Sequence, residues 1–142
     1  MDLSVMEYLN QIPNIDMMII DCLPNMNYTE VVNNTIPLVQ SVRETHTKDV
    51  PIILVESTIY GFEWYDQTFK DNQQKKRDTL KSQYEQLLRD GYTNIYYVEG
   101  KDIIQPEDIA TSITKVDGTH PNDYGQRLYY NYWNTYLNNF IW

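Results

Sequence analysis

The chain has 142 residues, 42% of them hydrophobic, and 11 basic against 20 acidic side chains leave a net charge of −9, which disfavours nucleic acid and anionic membrane surfaces as partners. No apolar run approaches the roughly 18–20 residues of a membrane span, and the start, Met1-Asp2-Leu3-Ser4, lacks the basic and apolar regions of a signal peptide. The single cysteine, Cys22, excludes an internal disulfide and a cysteine-rich zinc site, and a length of this order suits one domain over 1–142.

Leu3, Met6, Leu9 and Ile12 keep a spacing that predicts a helix over 3–12, stopped by Pro13. Met17-Met18-Ile19-Ile20-Asp21 reads as a buried strand that ends at Cys22-Leu23-Pro24-Asn25. Thr29 is placed to cap a helix over 30–46, with Val32, Ile36, Val39 and Val42 as its apolar stripe. Pro37 inside it predicts a kink or a late start.

A second strand covers Val50 to Val55 and ends at Glu56-Ser57. An aromatic loop follows, with Tyr60, Phe62, Trp64, Tyr65 and Phe69. The longest helix is expected over 71–90, with Leu80, Tyr84, Leu87 and Leu88 facing inward and Gly91 just past its end. Asn94 to Val98 form a third strand, ending at Glu99-Gly100. Residues 101–120 read as irregular with a short helix after Pro106, and a last helix runs from Pro121 to Phe140. Its aromatic stripe of Tyr129, Tyr132, Trp133, Tyr136 and Phe140 reads as core or interface.

The β–α–β–α–β alternation predicts a parallel sheet flanked by helices, an α/β three-layer sandwich of flavodoxin-like type. In such sheets the site lies beyond the carboxyl ends of the strands. That rule selects 21–25, 56–57 and 99–100, together with 117–120 from the loop before the last helix.

Asp117 and His120 stand three residues apart across Gly118. A tight turn there can aim the carboxylate at one imidazole nitrogen and leave the other free, as a general-base histidine requires. The same spacing also suits two residues capping a helix, with Pro121 in its first turn.

The longer run Asp117-Gly118-Thr119-His120-Pro121-Asn122-Asp123-Tyr124-Gly125 resembles the last conserved block of the SGNH (GDSL-type) hydrolases, where Asp and His complete a serine triad. Ile20-Asp21-Cys22-Leu23-Pro24-Asn25 resembles the block that supplies the oxyanion-hole asparagine in a bacterial branch of that family. Val50 to Glu56 resembles that branch's following strand, so the matches keep family order across residues 8–130. The resemblance implies that Asp117 orients, that His120 is the base, and that Asn25 donates its side-chain NH2 to the oxyanion. It also implies the SGNH-hydrolase fold and a small ester substrate, such as an acylated sugar, with no cofactor.

The family's Gly-Asp-Ser block, which carries the nucleophile, precedes the asparagine block, and no such block stands here. The family's second oxyanion donor, a glycine, is missing as well. The expectation is therefore the C-terminal portion of an SGNH domain, whose serine lies outside this chain. Without the family's two preceding strands, strand 17–21 becomes an apolar edge, and self-association through it is expected.

Within the chain, Ser57 is the serine at a predicted strand end, and Cys22 stands beside Asn25. Either could serve as a nucleophile; the alternatives are a loop hydroxyl and a buried thiol. His46 beside Lys48 reads as a solvated helix cap. A metal held by Asp21, Glu56, Glu99 and His120 matches no ligand spacing, so none is expected. Ser57, Tyr60 and Trp64 are candidates for contact with substrate, although the aromatic loop could equally cover core. Two function classes remain open: an ester hydrolase of the SGNH type, and a non-catalytic remnant or binding module that keeps the fold.

Overall fold

A computed structural model describes residues 2–107 and 114–140. The chain divides into two compact units, one formed by residues up to Ser57 with Asn72–Val98, the other by Thr58–Asp71 and the residues from Glu99 onward.

The first unit holds the sheet. Helix α1 (Leu3–Leu9) is capped by Asp2, whose Oδ1 accepts from the Ser4 amide at 2.9 Å. It is shorter than expected, and of its residues only Met6 is buried, while Leu3, Leu9 and Ile12 remain exposed. Asn10 follows it and donates to Ser41 Oγ at 2.7 Å, which ties this end to the next helix.

Helix α2 (Tyr28–Thr45) starts earlier than expected and runs through Pro37. Its cap is Asn27, not Thr29. Asn27 Oδ1 accepts from the Glu30 amide at 3.0 Å, and Glu30 Oε2 accepts from the Asn27 amide at 2.7 Å. Thr29 is followed at the same spacing by Val32, which cannot return that bond. The buried stripe is Val31, Thr35, Leu38, Val39 and Val42, and Val32, expected inward, faces outward. His46 ends α2, but its Nε2 is buried with no hydrogen-bond partner among the described residues, so the cap is not a solvated one.

Strands β1 (Met18–Ile20), β2 (Ile52–Val55) and β3 (Ile95–Val98) form a parallel sheet in that order. Ile19 pairs with Ile53, and Ile53 with Tyr96. Every residue of β2 is buried on both faces, as a sheet with covering layers demands. Alternation sends Ile20, Ile52, Leu54 and Ile95 to one face, where they pack with Val39 and Val42 of α2 and with Leu80 and Leu87. Those two leucines belong to α3 (Gln67–Arg89). Both crossovers therefore place their helix on the same face, as connections of one hand advancing in one direction must.

The buried face of α3 contains Lys76 and Arg77 as well as Leu80 and Leu87, while Leu88, expected inward, is exposed. Tyr84 is half-buried against Tyr97, ring centroids 5.3 Å apart. Gly91 has φ +89 and closes the helix with two bonds, Tyr92 N–H to Leu87 O at 3.0 Å and Gly91 N–H to Leu88 O at 3.1 Å. That paired pattern is why glycine stands past the end of α3.

The second unit carries the short α4 (Gly100–Ile103) and α5 (Asp123–Leu137). Helix α5 begins two residues later than Pro121 because Asn122 caps it, its Oδ1 accepting from the Gly125 amide at 3.0 Å. Along α5, Tyr132 stacks on Tyr136 at 5.7 Å and the stripe is half-buried. Burial, with the charges of Tyr136 and Asp102 adding to it, pushes the Tyr132 hydroxyl up to about 12. The helix expected after Pro106 lies outside the described residues.

Candidate active site

The turn before α5 brings Asp117 and His120 together. Three short hydrogen bonds converge on one carboxylate. Asp117 Oδ1 accepts from the amides of Thr119 at 2.9 Å and His120 at 2.7 Å, and Oδ2 stands 2.7 Å from His120 Nδ1. Those bonds hold the Asp117 carboxyl well below the usual carboxylate range, the imidazole contact first and the two backbone amides next. An ionised carboxylate only accepts. At 2.7 Å, Nδ1 must therefore carry the proton, and in a neutral ring Nε2 keeps its lone pair. The His120 side chain is 82% exposed, so that lone pair is open to approach.

The chain conformation behind this is local. Gly118 has φ +74, a region costly for any residue with a Cβ. Its amide donates to Lys115 O at 3.1 Å, which closes the turn. On the helix side, Asn122 N–H bonds Thr114 O at 2.8 Å, and a Cβ on Gly125 would lie 2.6 Å from that same oxygen. The glycine eight residues after Asp117 thus lets α5 approach the backbone of Thr114.

On the other side stands the aromatic loop, folded as a 3₁₀ turn over Gly61–Trp64. Gly61 N–H donates to Gly118 O at 2.8 Å. Lys115 is buried, and its ammonium donates to Thr58 Oγ1 at 2.6 Å and to Ile59 O at 3.0 Å. Tyr60 is buried edge-to-face against Phe69, centroids 5.6 Å apart, and Trp64 is 60% exposed. A depression of about 260 Å³ is lined by Gly61, Phe62, Tyr65, Lys115 and Asp117. Gly61 and Lys115 escaped the sequence reading. Lys115 carries no local signal, since one lysine in a polar loop ordinarily faces solvent.

The remaining candidates belong to the first unit. Asn25 ends a 3₁₀ turn over Leu23–Asn25 and is exposed between buried Leu23 and Met26. The turn is fixed by Lys76, whose buried ammonium donates to Met26 O at 3.0 Å and Leu23 O at 3.4 Å. Asp21 and Glu56 follow the carboxyl ends of β1 and β2. Burial pushes the Asp21 carboxyl up, and Tyr97 O–H donates to Glu56 Oε1 at 2.6 Å. Ser57 is 1% exposed, and its Oγ is buried with no hydrogen-bond partner among the described residues. Burial also pushes the Cys22 thiol up, the opposite of what an activated thiolate needs. Neither side chain has the environment of a nucleophile.

A parallel α/β sheet and an aspartate–histidine pair are the parts that acyl hydrolases of the serine type combine. The family model of the GDSL-like Lipase/Acylhydrolase family matches residues 1–138, and the chain belongs to that family. Among solved structures it is similar to a GDSL-like lipase from Bacteroides ovatus ATCC 8483, with 26% identity over 98% of this chain and a TM-score of 0.85. The salicylyl-acyltransferase SsfX3 from a tetracycline biosynthetic pathway shares the fold, at 21% identity over 92% of this chain and a TM-score of 0.74. The chain spans 40% and 39% of the lengths of those two proteins. No curated protein matches it.

Proposed function

We propose that this chain supplies the acid–base half and one oxyanion donor of a serine ester hydrolase, with the nucleophilic serine contributed from outside these 142 residues. The observation that carries the reading is the 2.7 Å contact between His120 Nδ1 and a depressed Asp117 carboxylate, with the rest of the imidazole exposed.

In that mechanism the serine oxygen attacks the ester carbonyl carbon while His120 Nε2 takes the hydroxyl proton. Negative charge passes to the former carbonyl oxygen, toward which Asn25 donates its side-chain NH2. Collapse breaks the bond to the alcohol, which leaves with the proton from Nε2. Water then attacks the acyl-enzyme carbonyl while His120 Nε2 takes its proton; collapse breaks the bond to the serine oxygen, which recovers that proton from Nε2, and the carboxylic acid departs. Asp117 stays ionised throughout and stabilises the imidazolium. The substrate is a small carboxylic ester, such as an acyl or acetyl group on a sugar. The exposed Trp64 offers an apolar face to it; Ser57 and Tyr60, the other two candidates for substrate contact, are both buried.

Turnover of p-nitrophenyl acetate by protein that includes the nucleophile tests this. Removing a triad member costs most of the rate, so His120→Ala and Asp117→Ala should each abolish most activity with folding intact. Asn25→Ala should lower kcat by about 10²–10³, the usual worth of one oxyanion donor. Full activity in His120→Ala overturns the assignment. The second reading, a binding module without catalysis, is favoured by the buried Ser57 hydroxyl and the raised Cys22 thiol, which leave both unsuited to attack. It predicts no turnover in any context.

A further inference from the structure

We infer that Gly61 is a positioning residue for the Asp117–His120 pair: the 3₁₀ turn it opens sets the backbone that aims the carboxylate at the imidazole. The inference rests on the proposed role of that pair and extends it to a segment some sixty residues away in sequence.

His120 is almost fully exposed, and among the described residues its side chain is held by Asp117 alone. The aim of the imidazole therefore depends on where the turn 115–118 puts the carboxylate. Two hydrogen-bonded attachments among the described residues tie that turn to the segment 58–62, and the Lys115 ammonium also lies 5.0 Å from the centre of the Tyr60 ring. One is the Gly61 N–H to Gly118 O bond of 2.8 Å. The other is the Lys115 ammonium, buried and donating to Thr58 and Ile59. Between them the two glycines meet backbone to backbone. A Cβ built on Gly61 would lie 3.0 Å from Gly118 Cα, tighter than most contacts of that kind, and because the neighbour is backbone rather than a flexible side chain, the backbone at 118 must give by a few tenths of an ångström. Phe62 closes the other side, its ring 3.4 Å from where a Cβ on Gly118 would stand. The approach as it stands thus favours glycine at 61, and it holds the residue directly after Asp117. A displacement of a few tenths of an ångström at Gly118 passes to the Asp117 carboxylate, because the same short turn carries all three of its hydrogen bonds.

The readout is the tautomer of the His120 ring, followed by ¹⁵N NMR of the 142-residue chain at a pH where the imidazole is neutral. The tautomer reports what Nδ1 is bonded to and is insensitive to general loss of stability in a chain that stays folded. The native chain should show Nδ1 protonated and Nε2 with a free lone pair. Gly61→Ala should shift both nitrogens toward the averaged pattern of an unconstrained imidazole, in the same direction as Asp117→Asn. Thr58→Val, which removes one acceptor of Lys115 without adding bulk, should shift them the same way by less, and it decides the matter if Gly61→Ala does not fold. Folded variants whose ¹⁵N shifts coincide with the native ones overturn the positioning role. A native His120 protonated at Nε2 instead overturns the reading of the pair itself, so the two failures are distinguishable.

Discussion

Asp117 accepts three hydrogen bonds within four residues of chain, and the one to His120 Nδ1, at 2.7 Å, is side chain to side chain. The carboxylate is thereby satisfied before any substrate arrives, and the imidazole is held by its far nitrogen. Preorganisation of this kind costs little in stability because both groups are open to water. It acts on geometry and protonation rather than on the fold.

The first expected outcome concerns pH. A carboxyl whose folded value is depressed contributes stability that is complete above its unfolded value, roughly 3.9, and that fades as pH falls through the lower folded value. The Asp117–His120 contact should therefore survive acidification past the pH at which ordinary aspartates protonate. Carboxyl ¹³C titration should place the Asp117 midpoint well below the usual carboxylate range. His120→Ala should raise the midpoint only part of the way, because the amides of residues 119 and 120 still donate to Oδ1. An ordinary midpoint in the native chain would refute the bonding described.

The second concerns the turn that presents Asn25. Lys76→Met keeps the stem volume of the side chain but removes the donor to Leu23 O and Met26 O. Leu23 O keeps the Met26 amide at 3.2 Å, so the loss falls mainly on Met26 O; a buried acceptor left without its donor costs about 1–3 kcal/mol, and denaturant unfolding should show a loss of that order. Heteronuclear relaxation should show increased motion at 23–26. An unchanged midpoint would mean that the carbonyls find other donors.

Much of this fold was legible because its strands are short apolar runs bounded by turn residues, and β2 in particular carries no polar side chain from Ile52 to Val55. Parallel pairing followed from the intervening helices. The start of α2 was misplaced for a definable reason: Asn27 and Thr29 are both capping residues, and the decision lay in Glu30, three positions after the first. The inward turn of Lys76, Arg77 and Lys115 was not legible, since their partners are backbone carbonyls and a hydroxyl distant in sequence. At the site, the spacing of Asp117 and His120 suited a helix cap as well as a pair, and it was the longer run to Gly125 that resembled the family's block, whereas the contact of Gly61 with Gly118 left no pattern in either segment.

A third outcome concerns association. Among the described residues β1 has a neighbouring strand on one side only, and Ile19 on it is 41% exposed. Beside it lies an apolar depression of about 310 Å³ lined by Val5, Leu9, Met18, Ile19, Ile20 and Leu38. No lysine or proline blunts this edge between Met17 and Asp21. The chain by itself should associate through the edge, and Ile19→Lys should reduce the association. Size-exclusion chromatography with light scattering checks it, and a stable species of 16.9 kDa for the native chain would count against it.

The central claim is that His120 activates a serine that this chain does not contain, and covalent labelling tests it most directly. A fluorophosphonate bonds to a serine whose hydroxyl is deprotonated by a neighbouring base. The 142-residue chain alone should give no adduct by intact-protein mass spectrometry. Combined with a segment that carries the family's nucleophile block, it should give one adduct, on a serine outside these residues, and that adduct should be lost in His120→Ala. An adduct on Ser57 of the chain alone, or labelling that persists undiminished in His120→Ala, would contradict the account.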